Sequence, residues 1–246
     1  MKTTKISAKL SFAFFKYRSK VLINSFLKSI HNLLYKLGVD IRFRKKEAAF
    51  SALEHNSIEE VNKFYSSADK QFEITSAAHQ KFFQEIIKSL EKSGINLNDK
   101  KIADFGCGIG NLLSHLHKHF NPAACHGFDF SEILLSLAAK RFPEGHFKQH
   151  DIYIQANDQF DFVFCTEVIE HLLYPEKALK NILSAVKLGG GAFISVPNGR
   201  KDTFAGHINF WSPESWEVFI RSQVAETALI QTGYVTTNNL YAIILF

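Results

Sequence analysis

From Lys101 to Asn111 the chain reads KIADFGCGIGN: an apolar run carrying Asp104, then Gly106-Cys107-Gly108-Ile109-Gly110. A glycine loop between a strand and a helix lets backbone N–H groups approach an adenosine-containing ligand. The spacing here is GxGxG where the dinucleotide fingerprint is GxGxxG, and Asp104 stands two residues before the first glycine. A pyrophosphate approaching that helix start meets a carboxylate and is repelled. A ligand without phosphate that carries an ammonium and a sulfonium is attracted. Asp129, in Gly127-Phe128-Asp129-Phe130-Ser131, ends the next apolar run about 20 residues on, where a carboxylate can accept hydrogen bonds from both hydroxyls of a ribose. Asp151 follows a third run, at a position suited to accept from an adenine amino group.

A second set lies further on. Thr166-Glu167-Val168-Ile169-Glu170-His171 closes a fourth apolar run, and His207 follows a fifth, beyond Pro197-Asn198. In helical conformation Glu167, Glu170 and His171 fall at i, i+3 and i+4 and share one face. His171 or His207 can serve as general base, a role worth about 10²–10⁴-fold in rate. With the two glutamates they form a set able to hold a divalent cation such as Mg²⁺, which binds and acidifies an acceptor hydroxyl. His115, His117 and His119 alternate along the helix after the glycine loop and are expected at the surface. The segment 198–211, with Phe204, Phe210 and Trp211, is expected to cover an acceptor, because an aromatic lid stacks on a sugar, a base or a quinone ring alike. Core packing is the competing expectation for Trp211 and Trp216.

The elements that must position these residues are readable from periodicity. Strands are expected at 101–105, 123–128, 147–149, 160–166 and 192–196, alternating with helices at 111–120, 131–141 and 175–187, the pattern of a parallel sheet with crossover helices. Ser212-Pro213-Glu214 opens one more helix through a serine cap and a proline at its first position. Runs at 227–231 and 240–246 around Asn238-Asn239 read as a hairpin. The fold expected is α/β, a doubly wound and mostly parallel seven-stranded sheet with a C-terminal antiparallel hairpin and N-terminal helices. Ahead of it, Ser57-Ile58-Glu59-Glu60 is a capping box, and His79, Phe82, Phe83, Ile86, Ile87 and Leu90 form an apolar stripe ending before Gly94.

Residues 1–46 form a separate arm, 47–98 a helical lead-in or lid, and 99–246 the ligand-binding domain. The arm holds twelve Lys or Arg against Asp40, a net of +11, whereas the remainder holds seventeen against twenty-three, a net of −6. Its Leu22, Phe26, Ile30, Leu33 and Leu37 recur at helical spacing opposite lysines and asparagines, a pattern that suits packing on the main domain, an anionic membrane surface or a phosphate backbone. With 46% hydrophobic and 22% charged residues the chain can bury a full core. Three cysteines without CxxC spacing point to reduced thiols and the cytoplasm. No cleavable leader and no apolar run of membrane-spanning length is seen, so secretion and a transmembrane span are not expected.

On FGCGIGN, GFDFS, HDI and FDFVFCTEVIEHL, in this order over 101–198, the sequence resembles the class I S-adenosylmethionine-dependent methyltransferases. The resemblance implies that Asp104, Gly106 and Gly108 border the methionine part of that cofactor, that Asp129 and Phe130 hold the ribose, and that Asp151 and Ile152 border the adenine, with Thr166 completing the pocket. Glu167, Glu170 and His171 with His207 are similar to the metal site of small-RNA 3′-end 2′-O-methyltransferases, and the ExxEH part also to polyprenyl-dihydroxybenzoate O-methyltransferases. The same string occurs in sugar-tailoring members without a metal. The expectation is O-methylation of a small-molecule, sugar or lipid-linked acceptor, with peripheral attachment of residues 1–46 at the inner membrane face. An RNA 2′-O-methyltransferase and a non-catalytic cofactor-binding module of the same fold are the alternatives.

Overall fold

The computed structural model describes residues 57–65, 77–204 and 206–246. The basic arm, and with it the amphipathic helix expected at Leu22–Leu37, lies outside the described residues.

Two helices lead in. α1 (Ile58–Tyr65) begins at Ser57, whose hydroxyl accepts from Glu60 N–H at 3.3 Å. α2 (Ala77–Lys92) buries Phe82, Phe83, Ile86, Ile87 and Leu90 at helical spacing. Five α/β steps follow: β1 (Lys101–Phe105), α3 (Asn111–Phe120), β2 (Ala124–Asp129), α4 (Glu132–Arg141), β3 (His146–Gln149), β4 (Phe160–Thr166), a single 3₁₀ turn (Ile169–His171), α5 (Pro175–Ser184) and β5 (Val186–Pro197). α6 (Pro213–Gln223) precedes the hairpin of β6 (Leu229–Thr236) and β7 (Asn239–Leu245). The seven strands lie in the order β3-β2-β1-β4-β5-β7-β6. β1 to β5 are parallel, and β7 inserts antiparallel between β5 and β6.

The order reverses between β1 and β4, so the carboxyl ends of these two central strands open onto a common crevice, where doubly wound sheets bind ligands. Each face of the sheet carries its own core. On one, Leu112, Leu113 and Leu116 of α3 pack with Phe82, Ile86 and Leu90 of α2 against Ile102, Phe162, Phe164 and Phe193. On the other, Leu179 and Ile182 of α5 and Trp216 and Ile220 of α6 pack on Phe105, Val163, Cys165 and Ile194. Burying each such side chain contributes about 1.5–3 kcal/mol, which fixes the strand ends as a rigid platform.

The expected boundaries hold at 101–105, 111–120 and 160–166, and the hairpin is present with longer strands. Three expectations need correction. The helix expected to reach Lys187 stops at Ser184, and the strand expected from Ala192 begins at Val186, because Val186 pairs with Phe160 ahead of a register shift that brings Gly191 opposite Phe162. The helical reading of Glu167–His171 also fails. Glu167 adopts φ 57°, a left-handed conformation, and only one 3₁₀ turn follows. The three cysteines are buried free thiols. Among the described residues no helix is long and apolar enough to cross a membrane.

Candidate active site

The first half of the site is built at the ends of β1 and β2. Beyond Phe105 the chain turns through Gly106 at φ 80°, Gly108 at φ 52° and Gly110 at φ 74° before entering α3. The loop is pinned where Gly106 and Cys107 donate their N–H groups to the Phe128 carbonyl at 2.7 and 3.0 Å. A side chain at Gly106 would be strained at this φ and crowded, since a Cβ there would lie 2.3 Å from a Val168 methyl. Asp129 folds back over the loop, accepting from Gly108 N–H at 2.9 Å through Oδ2 and from Ser131 N–H at 3.0 Å through Oδ1. Burial raises its pKa, and the backbone donors oppose that rise.

Asp104 is enclosed, 2% exposed, and its Oδ1 has no hydrogen-bond partner. Burial, with the nearby charge of Asp129, pushes its pKa up to about 7. An unpartnered buried carboxylate is a costly arrangement that a ligand donor or cation relieves. Phe130 stays 39% exposed beside Asp129, Thr166 ends β4 partly buried, Asp151 is exposed and accepts from Tyr153 N–H at 2.8 Å, and Ile152 packs at the edge of the second core. The structure thus sets Asp104, Gly106, Gly108 and Asp129 in one cradle and carries Asp151 and Ile152 on the loop after β3.

The second half gathers beyond β4. Glu170, His171 and His207 each offer a ligand atom, all within 4.8 Å of one another. The Nε2 atoms of His171 and His207 lie 3.9 and 3.8 Å from Glu170 Oε1. Glu170 is 1% exposed and neither of its oxygens has a hydrogen-bond partner. Burial, then the charge of Glu167, raises its pKa well above the carboxylate range. Each imidazole is held from behind: Nδ1 of His171 faces the Gly206 carbonyl at 3.2 Å, and Nδ1 of His207 faces Asp202 Oδ2 at 2.5 Å. A carbonyl and a carboxylate accept here, so each ring presents Nδ1 as a donor to the group behind it and leaves Nε2 facing Glu170.

Glu167 does not join them through a helical face. Its oxygens accept from Ser195 Oγ at 2.9 Å and Asn239 Nδ2 at 2.7 Å, and its pKa is nonetheless raised to about 7, chiefly by burial. The fourfold ligand set expected from sequence therefore reduces to a converging trio, with Glu167 bound to β5 and β7. Of the three histidines expected at the surface of α3, His119 is exposed and meets Phe120 edge to face, whereas His115 and His117 are half-buried against Phe83 and Phe142 of the core. Trp211 and Trp216 are core residues that meet edge to face, and Trp216 stacks on Phe219.

Sequence reasoning missed the clasp that joins 198–211 to the 3₁₀ turn. Ile208 and Asn209 donate their N–H groups to the Glu170 carbonyl at 3.0 Å, and Asn209 Nδ2 donates to the Leu172 carbonyl at 2.7 Å. Phe204 sets its ring against both histidines. Asp202 precedes His207 by five residues in a loop, and no periodicity marks such a contact.

This fold and crevice define a class found among S-adenosylmethionine-dependent methyltransferases. Magnesium protoporphyrin IX methyltransferase from Synechocystis PCC 6803, solved with S-adenosylmethionine bound, matches with a TM-score of 0.58 at 18% identity over 81% of this chain and 99% of that one. A 4+2 cyclase, SpnF, matches with a TM-score of 0.56 at 12% identity over 66% of this chain and 80% of that one. The architecture alone therefore leaves the reaction open.

The sequence is more specific. Residues 74–223 match the family model of a methyltransferase domain, and the chain belongs to that family. The ubiquinone biosynthesis O-methyltransferase of Coxiella burnetii (strain RSA 493 / Nine Mile phase I) is 34% identical over 118 residues, covering 46% of this chain. The chain spans about half the length of that relative, 49%.

Proposed function

We propose that the chain is an S-adenosylmethionine-dependent O-methyltransferase acting on a hydroxyl of a small-molecule, sugar or lipid-linked acceptor. The observation that carries this reading is the pairing, at adjacent strand ends, of a buried unpartnered carboxylate at Asp104 with the Glu170–His171–His207 trio. When bound, S-adenosylmethionine supplies a methyl group on a cationic sulfur and leaves as a neutral thioether, so the departing group needs no acid. Asp104 suits the ammonium, and Asp129 suits the ribose hydroxyls in exchange for the Gly108 N–H it now holds. The first turn of α3, entered through the glycine loop, presents N–H groups to a carboxylate.

What remains is to align an acceptor oxygen and take up its proton. Holding both reactants in line is worth up to about 7–11 kcal/mol in favourable cases. The trio fits a divalent cation, since a cation pairs the otherwise orphaned Glu170 and meets two imidazole lone pairs that are already aimed inward. Glu170, His171 and His207 would hold it, and it would lower the pKa of an acceptor hydroxyl. Without it, the Nε2 atoms stand where a base is needed. Support for an acceptor with an apolar part comes from the rim: Tyr153 and Tyr174 pack edge to face, and their neighbours Ile154 and Leu173 are 60% and 57% exposed. The −6 charge of residues 47–246 disfavours a polyanion.

The test is calorimetric titration with S-adenosylhomocysteine, followed by incubation with S-adenosylmethionine and catechol-type, glycosyl and prenylated hydroxyl acceptors, and with RNA oligonucleotides. Expected are cofactor binding and gain of one methyl group on a non-nucleic acceptor, suppressed by a chelator. Methylation of RNA alone would move the reading to its alternative, and binding without transfer to any acceptor would leave a non-catalytic module.

A further inference from the structure

The two imidazoles of the trio are not supported alike. Behind His171 stands a neutral main-chain carbonyl, that of Gly206. Behind His207 stands a carboxylate, and that carboxylate is itself immobilised: Asp202 Oδ1 accepts from Phe204 N–H at 3.0 Å, and Asp202 N–H donates to the Asn198 carbonyl at 3.0 Å. The Asp202 and His207 side chains are 8% and 12% exposed, so their contact is largely shielded from water. Phe204, between them in sequence, lies against the His207 ring at 4.8 Å and limits its rotation.

We infer that Asp202 is the positioning residue of the site, holding His207 as the Nδ1–H tautomer with Nε2 directed at Glu170. An ionised carboxylate only accepts hydrogen bonds, so the ring nitrogen facing it must carry the proton and the far nitrogen must carry the lone pair. A carboxylate behind a ligating imidazole also increases its basicity, and loss of such a partner costs about 10–100-fold in metal affinity. Asp202 acts through His207, whose Nδ1 it faces. The part of the inference that concerns metal affinity rests on the cation reading given above, whereas the tautomer does not.

The experiment uses the full chain labelled with ¹⁵N-histidine, in wild-type and Asp202→Asn forms, with His207→Ala to assign the signal. In the metal-free wild type, the His207 spectrum is expected to show the Nδ1–H tautomer, and Asp202→Asn to populate the Nε2–H form. Titration with Co²⁺, followed by its visible absorption, is expected to weaken 10–100-fold in Asp202→Asn. An Nε2–H tautomer in the wild type, or unchanged tautomer and Co²⁺ affinity in the folded variant, overturns the inference. If the wild type binds no Co²⁺, the cation reading fails while the tautomer measurement still decides the role of Asp202. Should Asp202→Asn not fold, the wild-type spectrum alone decides it.

Discussion

At the scale of single residues, the site is built from carboxylates that the fold would be more stable without. Asp104 is enclosed with a pKa of about 7, so at pH 8 its charge is held at a cost that a cationic ligand offsets. Replacing it by Asn is expected to raise the melting temperature of the ligand-free chain at pH 8, by an amount on the order of 2 kcal/mol in stability. The same change is expected to weaken S-adenosylmethionine binding about 10–100-fold, the loss of one charge-assisted interaction. Calorimetry across pH separates the two effects. Wild-type affinity should rise with pH through about 7, as Asp104 ionises, and level off above it; the variant should show no such rise. Glu170→Gln is expected to repeat the trade within the trio, with higher thermal stability and no cation binding, read by differential scanning with and without Mn²⁺. Asp104 and Asp129 stand at the strand ends where their spacing put them, and Glu170, His171 and His207 do converge, though not through the helical face that suggested it. Asp202 and Asn209 were not legible in the sequence, since their partners are set by a loop that folds over the sheet, and a loop leaves no period in the sequence.

At the scale of elements, the glycine loop and the segment after β4 are one packed unit. Val168 occupies the space left by the missing side chain of Gly106. Gly106→Ala is expected to destabilise by about 1–3 kcal/mol through overpacking, with a further ~1 kcal/mol from forcing alanine to positive φ. Gly106→Ala/Val168→Ala should recover the overlap but not the backbone term, so urea unfolding of the cycle should show a favourable coupling on the order of 1 kcal/mol. The lead-in helix is tied to the cradle in the same manner: Ser131 caps α4 by accepting from Leu134 N–H and donates to Asn62 Oδ1 of α1. Ser131→Ala is expected to cost about 1 kcal/mol of stability and to loosen α1, seen as faster hydrogen exchange in residues 58–65. Helix and strand limits were legible wherever apolar periodicity runs up to a glycine or a cap, as at 111–120. They were not at Val186–Gly191, where the strand runs through three glycines that give no apolar alternation and only Gly191 of the three pairs in register, nor at Glu167, whose left-handed backbone breaks a segment of helical composition.

At the scale of the whole molecule, the same carboxylates give the fold a pH dependence of definite sign. Asp104 and Glu167 have folded-state pKa values raised to about 7 from ordinary carboxylate values, and burial and the charge of Glu167 raise that of Glu170 as well. Between the unfolded and folded pKa values the folded chain therefore binds more protons than the unfolded one, and stability must fall as pH rises across that window. The ligand-free protein is expected to lose stability from about pH 4 up to about pH 7 through Asp104 and Glu167, with Glu170 adding to the loss as it ionises. Ligands reverse this. A cationic cofactor at Asp104 and a divalent cation at Glu170 each bind the ionised form, so the rise in melting temperature on adding S-adenosylmethionine and Mn²⁺ should be larger at pH 8 than at pH 5. Asp104→Asn should flatten the profile and abolish the pH dependence of its cofactor response, and Glu170→Gln should flatten it too and abolish the response to the cation. A ligand-free melting temperature that rises steadily from pH 5 to pH 8 would show that these groups are solvated or paired in solution, and with that the physical basis for a charged cradle at the strand ends would be lost.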